Sequence, residues 1–460
     1  MRLLHAPSKI RFRFDDPNLV AVAGLVPVMA LAERCGLTKL AGRLLTVPGS
    51  AGANAGVKVS AVVAGMVAGA DSIDDLDVLR HGGLGRLFAG VRAPSTLGTF
   101  LRAFAWGHVR QLEKVARAVT AALPGQAPVL TDAATYALLD ADSTIRQVFG
   151  YAKQGASYGY TRVKGLHPLL AVVSTPTCAP LVVATRLREG RAAAARGAGA
   201  FVAEALAAAR AAGATGLVLF RADAAFYSAE VVAACRRAGA RFSITVRMNP
   251  AIRTAIATID EAAWTPIRYP RAVWDDDEGR YVSDAEIAEV AYTAFTGSRT
   301  DLQVTGRLLV RRVRRLNPAS VPQGQGELFA VHRYHAAFTD SQLTLVQAEA
   351  THRGHAIVEQ VIADLKNSAL AHLPSGRFTA NAAWLTLAAL AFNLTRAAGA
   401  LASRTHARAT TPTVRRQLVA IPARVTHSAR TQTLRLPEKW PWHNAATALF
   451  DTLHTPPAAA

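Results

Sequence analysis

Tyr136-Ala137-Leu138-Leu139-Asp140-Ala141-Asp142-Ser143-Thr144 is the stretch that decides how the rest of the chain is read. An apolar run climbs into two acids and then a hydroxyl pair, the pattern of a buried strand that ends at a polar rim. Pro128-Val129-Leu130 is expected to open that strand. Downstream, His167–Thr175 and Pro180–Leu187 are short apolar runs between breakers, and so two more strands. Ala198–Ala212 is an Ala-rich helix, and Gly216-Leu217-Val218-Leu219-Phe220 a buried strand with Asp223 just past its end. Phe226–Ala238 then reads as helix and Arg241–Val246 as strand. Strands that alternate with helices in this way predict an α/β fold.

Residues 1–125 differ in texture. Apolar residues recur at spacings of three and four in Leu25–Leu37, Val59–Ala68 and Leu97–Val115, which predicts a helical N-terminal region. Pro94-Ser95-Thr96 starts one of these helices. The acids of Asp71-Ser72-Ile73-Asp74-Asp75-Leu76-Asp77 suit a helix N-terminus, where the backbone dipole favours negative charge. The α/β core is expected over 126–250 and again over 346–402, where Ala348–Leu370 and Thr379–Leu401 read as long helices. Between them, 251–345 holds Trp264, Tyr269, Trp274, Tyr281 and Tyr292 and a basic strand, Thr305–Leu316. That block predicts a β-rich insertion, with Asp275-Asp276-Asp277-Glu278-Gly279 as a solvated hairpin turn. Residues 403–460 hold seven Arg and one Lys against Glu438 and Asp451, with breakers at Pro422 and Pro437, and read as a basic tail.

The composition limits the partners. The chain has 460 residues, enough for several units with sizeable cores. Lys and Arg number 52 against 32 Asp and Glu, for a formal charge of +20. Only eight of those 52 are Lys, leaving 44 Arg, so a GC-rich coding bias sets the type of cation but not the excess. Hydrophobic residues make up 51%, which excludes a disordered basic protein. A folded chain this basic points to nucleic acid first and an anionic membrane second. The membrane is disfavoured, because the cations are dispersed rather than gathered on one amphipathic helix. Leu19–Ala32 contains Pro27, and Ala382–Ala400 is interrupted by Asn393 and Arg396, so both are expected to be buried helices rather than spans. The first residues lack a signal-peptide pattern. Cys35, Cys178 and Cys235 are odd in number and far apart, which predicts no disulfide framework and a reducing, cytoplasmic setting.

Three acids carry the expected chemistry. Asp142 and Asp223 stand at strand ends that can share one rim, and Glu359 stands on a helix that can pack against it. Three converging carboxylates repel one another unless divalent cations hold them, and Mg²⁺ suits such hard oxygen donors. Two such ions support phosphoryl transfer. His352, His355, Glu359 and Lys366 fall at i, i+3, i+7 and i+14 and so are expected to share one helical stripe, polar and mainly cationic and suited to a DNA backbone.

In this order the motifs resemble those of the DDE transposases of bacterial insertion sequences. The chain looks most like the insertion sequence 1380 family, a relative of the insertion sequence 4 group. The resemblance spans nearly the whole chain. It rests on Leu139–Thr144, Tyr160–Leu170, Arg221–Ser228, the Glu359-x6-Lys366 spacing, and Ile421–Arg424 with Leu434–Pro437 in the tail. It implies an RNase H-like core in which Asp142, Asp223 and Glu359 bind two Mg²⁺ ions, with Mn²⁺ able to substitute. Asp142 precedes the hydroxyl pair Ser143-Thr144 and is favoured as first ligand; Asp140, on the same side of the strand, is the alternative. The wider group places Tyr and Arg where this chain has His352 and His355. Phosphate contacts are expected from Lys366, His355, His352, Arg353, Arg311, Arg312, Arg314 and Arg315, and base stacking from Trp264 or Trp274. The resemblance further implies cut-and-paste transposition, double-stranded DNA as partner (terminal inverted repeats and target), a homodimer or larger assembly, and association with the bacterial nucleoid. The rival reading is a catalytically inactive or repurposed sequence-specific DNA-binding protein.

Overall fold

The computed structural model describes the chain except for residues 151, 160, 194, 269–273, 276–279, 282–284, 315–331 and 455–460. Helices α1 (Leu25–Arg34), α2 (Leu37–Leu44), α3 (Ala55–Ala68), α4 (Pro94–Arg102) and α5 (Trp106–Ala122) build the N-terminal region. Pro94 opens α4 at its first turn, where its missing N–H costs nothing. The periodic run from Leu25 breaks at Gly36, whose φ of +77° ends one helix before the next begins. The acidic run makes a 3₁₀ turn, Asp74–Arg80, and the Asp75 carboxylate accepts the Ser72 N–H and hydroxyl.

The core strands are β1 (Tyr136–Ser143), β2 (Lys164–Ser174) and β3 (Leu181–Glu189). Helix α6 (Ala198–Ala211) leads to β4 (Leu217–Ala222), and α7 (Ala229–Arg237) connects β4 to β5 (Arg241–Val246). The strands lie in the order β3-β2-β1-β4-β5. The pairs β1–β2 and β2–β3 are antiparallel, whereas β1–β4 and β4–β5 are parallel. This mixed sheet with its helices is consistent with an RNase H-like core. Pro128–Leu130 stays outside it: Leu130 has a φ of +55°, a turn conformation that a strand cannot use.

The block expected as a β-rich insertion continues the same sheet. After α8 (Pro250–Ala257) come β6 (Ala285–Ala294), β7 (Val304–Arg314) and β8 (His332–Thr339). Strand β8 pairs antiparallel with β5, then β7 with β8, β6 with β7, and Thr265–Ile267 with β6; with the short strands Arg146–Gln147 and Ser157–Tyr158 on β2, the sheet has 11 strands among the described residues. The join is apolar: Phe338 is opposite Ile244, and its ring lies 5.3 Å from that of Phe242. The acidic turn at 276–279 lies outside the described residues.

The single helix expected over Ala348–Leu370 is two helices. Helix α9 (Leu345–Arg353) begins with a reciprocal cap between Thr344 and Gln347. A 3₁₀ turn, Gly354–Ala356, separates it from α10 (Ile357–Lys366). Hence His352 and Glu359 do not share one helical stripe. Helix α11 (Phe378–Ala402) is long and apolar enough to cross a membrane, yet 89% of its most apolar window is buried inside the protein. It packs on β3, α3 and α5. The presumed tail is also folded. Strands β9 (Ala423–Ser428) and β10 (Thr431–Arg435) form a hairpin that pairs with Leu19–Val20, and α12 (His443–Asp451) packs on α11.

Candidate active site

Two carboxylates are placed by strand register. Parallel strands β1 and β4 pair Ala141 with Ala222, so the next residue of each, Asp142 and Asp223, meets its neighbour at the same C-terminal rim. Adjacent strands there stand about 4.8 Å apart. Asp142 accepts the Ser143 N–H at 2.6 Å. Asp223 caps the short turn that follows β4, accepting the Ala225 N–H at 3.0 Å. Helix α10 packs against β1 and β2 and carries Glu359 in its first turn and Lys366 at its end.

The electrostatics tie these groups together. Burial pushes the Asp142 carboxyl up to about 6; the Ser143 N–H opposes the rise, and the charges of Asp223 and Glu359 add to it. Lys366 pulls the other way. Asp223 is also raised by burial and by Glu359, against the Ala225 N–H, His355 and Arg247. Two buried carboxylates raised in this way, with a third acid in electrostatic reach, can hold a proton, a cation or both. A divalent ion fits its donor set of hard oxygens. Among the described residues, no three such side chains are already drawn together closely enough to hold an ion.

The family described as "Transposase DDE domain group 1" matches residues 4–457. The chain belongs to this family. It is an enzyme of phosphoryl transfer that acts in DNA transposition, and enzymes of this kind use divalent metal ions. No curated protein matches the chain.

In this transposase, several residues expected at the site are committed elsewhere. Asp140 is fully buried and bound by both arms of Arg221, Nε to Oδ1 and Nη2 to Oδ2, each at 2.7 Å. It is therefore not an open metal donor, although β1 points it the same way as Asp142. His352 is engaged at both ring nitrogens by hydroxyls of β5, Ser243 at 2.9 Å and Thr245 at 3.0 Å. Burial, with His355 and Arg221 nearby, pushes its pKa down to about 3, and the two hydroxyls tie its ring to β5. His355 turns Nδ1 to the His352 carbonyl, yet its ring lies within electrostatic reach of Asp223.

The described cations of β7 are likewise paired. Arg311 and Arg353 share Glu349, at 2.9 and 3.2 Å, and so brace α9 against the sheet. Arg312 is buried and binds Glu286 at 2.6 Å and Glu261 at 2.9 Å. Its guanidinium covers the Trp264 ring at 4.3 Å, so that face of the indole is already stacked. Arg315 and the side chains of Arg314 and Trp274 lie outside the described residues.

Three cations near the carboxylates went unread in the sequence. Arg146 follows Asp142 by four residues in a short strand paired with β2. Burial and the Arg146 charge lower the pKa of Lys366, so the two cations are within electrostatic reach of one another. The Arg146 Nε is buried with no hydrogen-bond partner. Arg247 reaches Asp223, and Arg221 holds Asp140. All three sit within five residues of a predicted acid or strand end, the signal that could have found them.

Proposed function

We propose that this transposase cuts DNA at insertion-sequence ends and joins the freed 3′-hydroxyl to target DNA, with Asp142, Asp223 and Glu359 as its catalytic carboxylates. The reading rests on one observation: strand register sets Asp142 and Asp223 at one rim of the sheet, and Glu359 of α10 is near enough for its charge to raise the pKa of both, with Lys366 pulling Asp142 the other way. Two Mg²⁺ ions held there would activate the attacking oxygen and stabilise the leaving one, and Mn²⁺ would substitute. The carboxylates bind and space the ions. Lys366 and Arg146 bind the non-bridging oxygens of the phosphate, where a guanidinium offers a planar fork and an ammonium a point charge. His355 stands at the Asp223 side and contacts the backbone beyond the cut.

The motifs Leu139–Thr144, Arg221–Ser228 and Glu359-x6-Lys366 support a place near the insertion sequence 1380 family. The net charge of +20 supports salt-dependent contacts along the duplex outside the site. The protein is read as a homodimer or larger assembly on paired ends, in the nucleoid of a bacterial cytoplasm.

The test mixes the protein with DNA carrying the repeats that flank its own gene, in Mg²⁺ or EDTA, with a supercoiled plasmid as target. Mg²⁺-dependent nicking at the repeat boundary and covalently joined products are expected. Salt-sensitive binding without cleavage in Mg²⁺ or Mn²⁺ would move the protein to the class of repurposed DNA-binding proteins.

A further inference from the structure

Asp140 and Arg221 form a buried pair that the proposed chemistry does not use. Their side chains are 0% and 3% exposed, and the contact is a two-pronged fork. The third nitrogen, Nη1, donates to the Thr351 carbonyl at 2.5 Å, in the last turn of α9. A Cβ on Gly354 would lie 2.9 Å from that nitrogen, so the glycine lets the turn after α9 close onto the guanidinium.

The positions of these partners matter. Asp140 stands two residues before Asp142, and Arg221 two before Asp223, on neighbouring strands in direct register. Thr351 and Gly354 lead into the turn from which α10 and Glu359 depart. One guanidinium thus ties the two strands that carry Asp142 and Asp223 to the end of α9, one 3₁₀ turn before the helix that carries Glu359. We infer that the Asp140–Arg221–Thr351 junction is a positioning device that sets the spacing of Asp142, Asp223 and Glu359, and that Arg221 is its positioning residue. This inference rests on the reading of those three acids as the metal-binding set.

Stability alone does not explain the junction. Two charges taken out of water cost several kcal/mol each, and well-packed apolar residues of the same volume often serve as well or better. An apolar pair cannot donate to the Thr351 carbonyl, one of the helix-end carbonyls that lack a partner within the helix. Lysine cannot replace the arginine either, because one ammonium cannot bind a carboxylate in a fork and a carbonyl in a third direction together.

The experiment compares wild type, Arg221→Lys, Arg221→Met and the paired Asp140→Leu/Arg221→Met protein in three measurements: thermal melting, Mn²⁺ binding by calorimetry on the DNA-free protein, and cleavage as a function of Mn²⁺ concentration. The single Arg221→Met leaves Asp140 buried and unpaired, and its melting temperature falls. The paired variant recovers most of that loss, short of the bond to the Thr351 carbonyl. Its Mn²⁺ affinity nonetheless remains weakened, by about 10- to 100-fold as for other residues that orient metal ligands, and excess Mn²⁺ partly restores cleavage. Arg221→Lys shows the same weakened affinity. A paired variant that melts, binds Mn²⁺ and cleaves as the wild type does would overturn the inference and leave the pair a packing element. A wild type that binds no Mn²⁺ and cuts nothing would instead overturn the metal-site reading beneath it. A wild type that cuts, with cleavage lost in Glu359→Ala, secures that reading whatever the Arg221 variants do.

Discussion

Asn393 offers a quantitative test of how the core is held. It is buried in the middle of α11, where an apolar residue would be the ordinary choice. Its side chain accepts the Val182 N–H at 2.8 Å and donates to the Val182 carbonyl at 2.7 Å and to the Thr120 hydroxyl at 3.1 Å. Val182 needs these bonds. Among the described residues, strand β3 has β2 as its single partner, and the register slips beside Val182, with Val172 opposite Val182 but Ala171 opposite Ala184. The slip turns backbone groups toward α11, and Asn393 completes the sheet edge from the helix side. Asn393→Leu keeps the volume and strands the Val182 N–H and carbonyl. Each of the two buried orphans costs about 1–3 kcal/mol, and the added apolar burial returns about 1 kcal/mol, for a net loss of about 1–5 kcal/mol. Urea unfolding followed by circular dichroism measures this, and amide exchange at Val182–Ala184 should accelerate in step. A loss below about 0.5 kcal/mol, or unchanged exchange, would refute the claim that the helix completes the strand.

Other expectations follow from the site and its surroundings. Arg146→Ala should weaken DNA binding and reduce the slope of log affinity against log salt by about one, since one phosphate contact is lost. Arg312→Ala should leave that slope unchanged and lower the melting temperature, because Arg312 binds Glu286, Glu261 and Trp264; a reduced slope would restore it to the DNA interface. His167 is 1% exposed, shares Nε2 with Arg188, and is pushed down to about 4 by burial and by that charge. The unfolded chain therefore binds more protons between pH 6.5 and 4, so this contribution is complete above 6.5 and is lost as pH falls toward 4. Its ceiling is about 3 kcal/mol, and His167→Gln should flatten the pH dependence of unfolding by that part.

The core was legible where local pattern and tertiary role agree. Apolar runs ending in Asp142 and Asp223 gave both strands and both rim positions, because a side chain at a strand's end needs no distant partner to be placed. The spacing of Glu359 and Lys366 survives because both lie on α10. Reading failed where a distant residue decides the outcome. Asp140 and Asp142 look alike in sequence, and Arg221, 81 residues away, separates them by claiming one. His352 sits in a stripe of cations until Ser243 and Thr245 take both its nitrogens. The basic strand β7 looked like a DNA surface, yet its described arginines meet Glu349, Glu286 and Glu261 from other segments. The break at Gly354 was hidden because one glycine within an apolar period is ordinarily tolerated in a helix. The last segment looked like a tail because its strand partner, Leu19–Val20, lies at the other end of the sequence.

The most direct test of the account is single-turnover nicking of DNA carrying the repeats that flank the gene, by wild type and by Asp142→Asn, Asp223→Asn, Glu359→Gln and Asp140→Asn, each checked for its melting temperature. Mg²⁺-dependent nicking should fall to background in the first three variants while their folds persist. Asp140→Asn should lose stability as well as activity, because it weakens a buried ion pair. Nicking that survives the loss of Asp142, Asp223 or Glu359 in a folded protein would contradict the claim that these three carboxylates form one site.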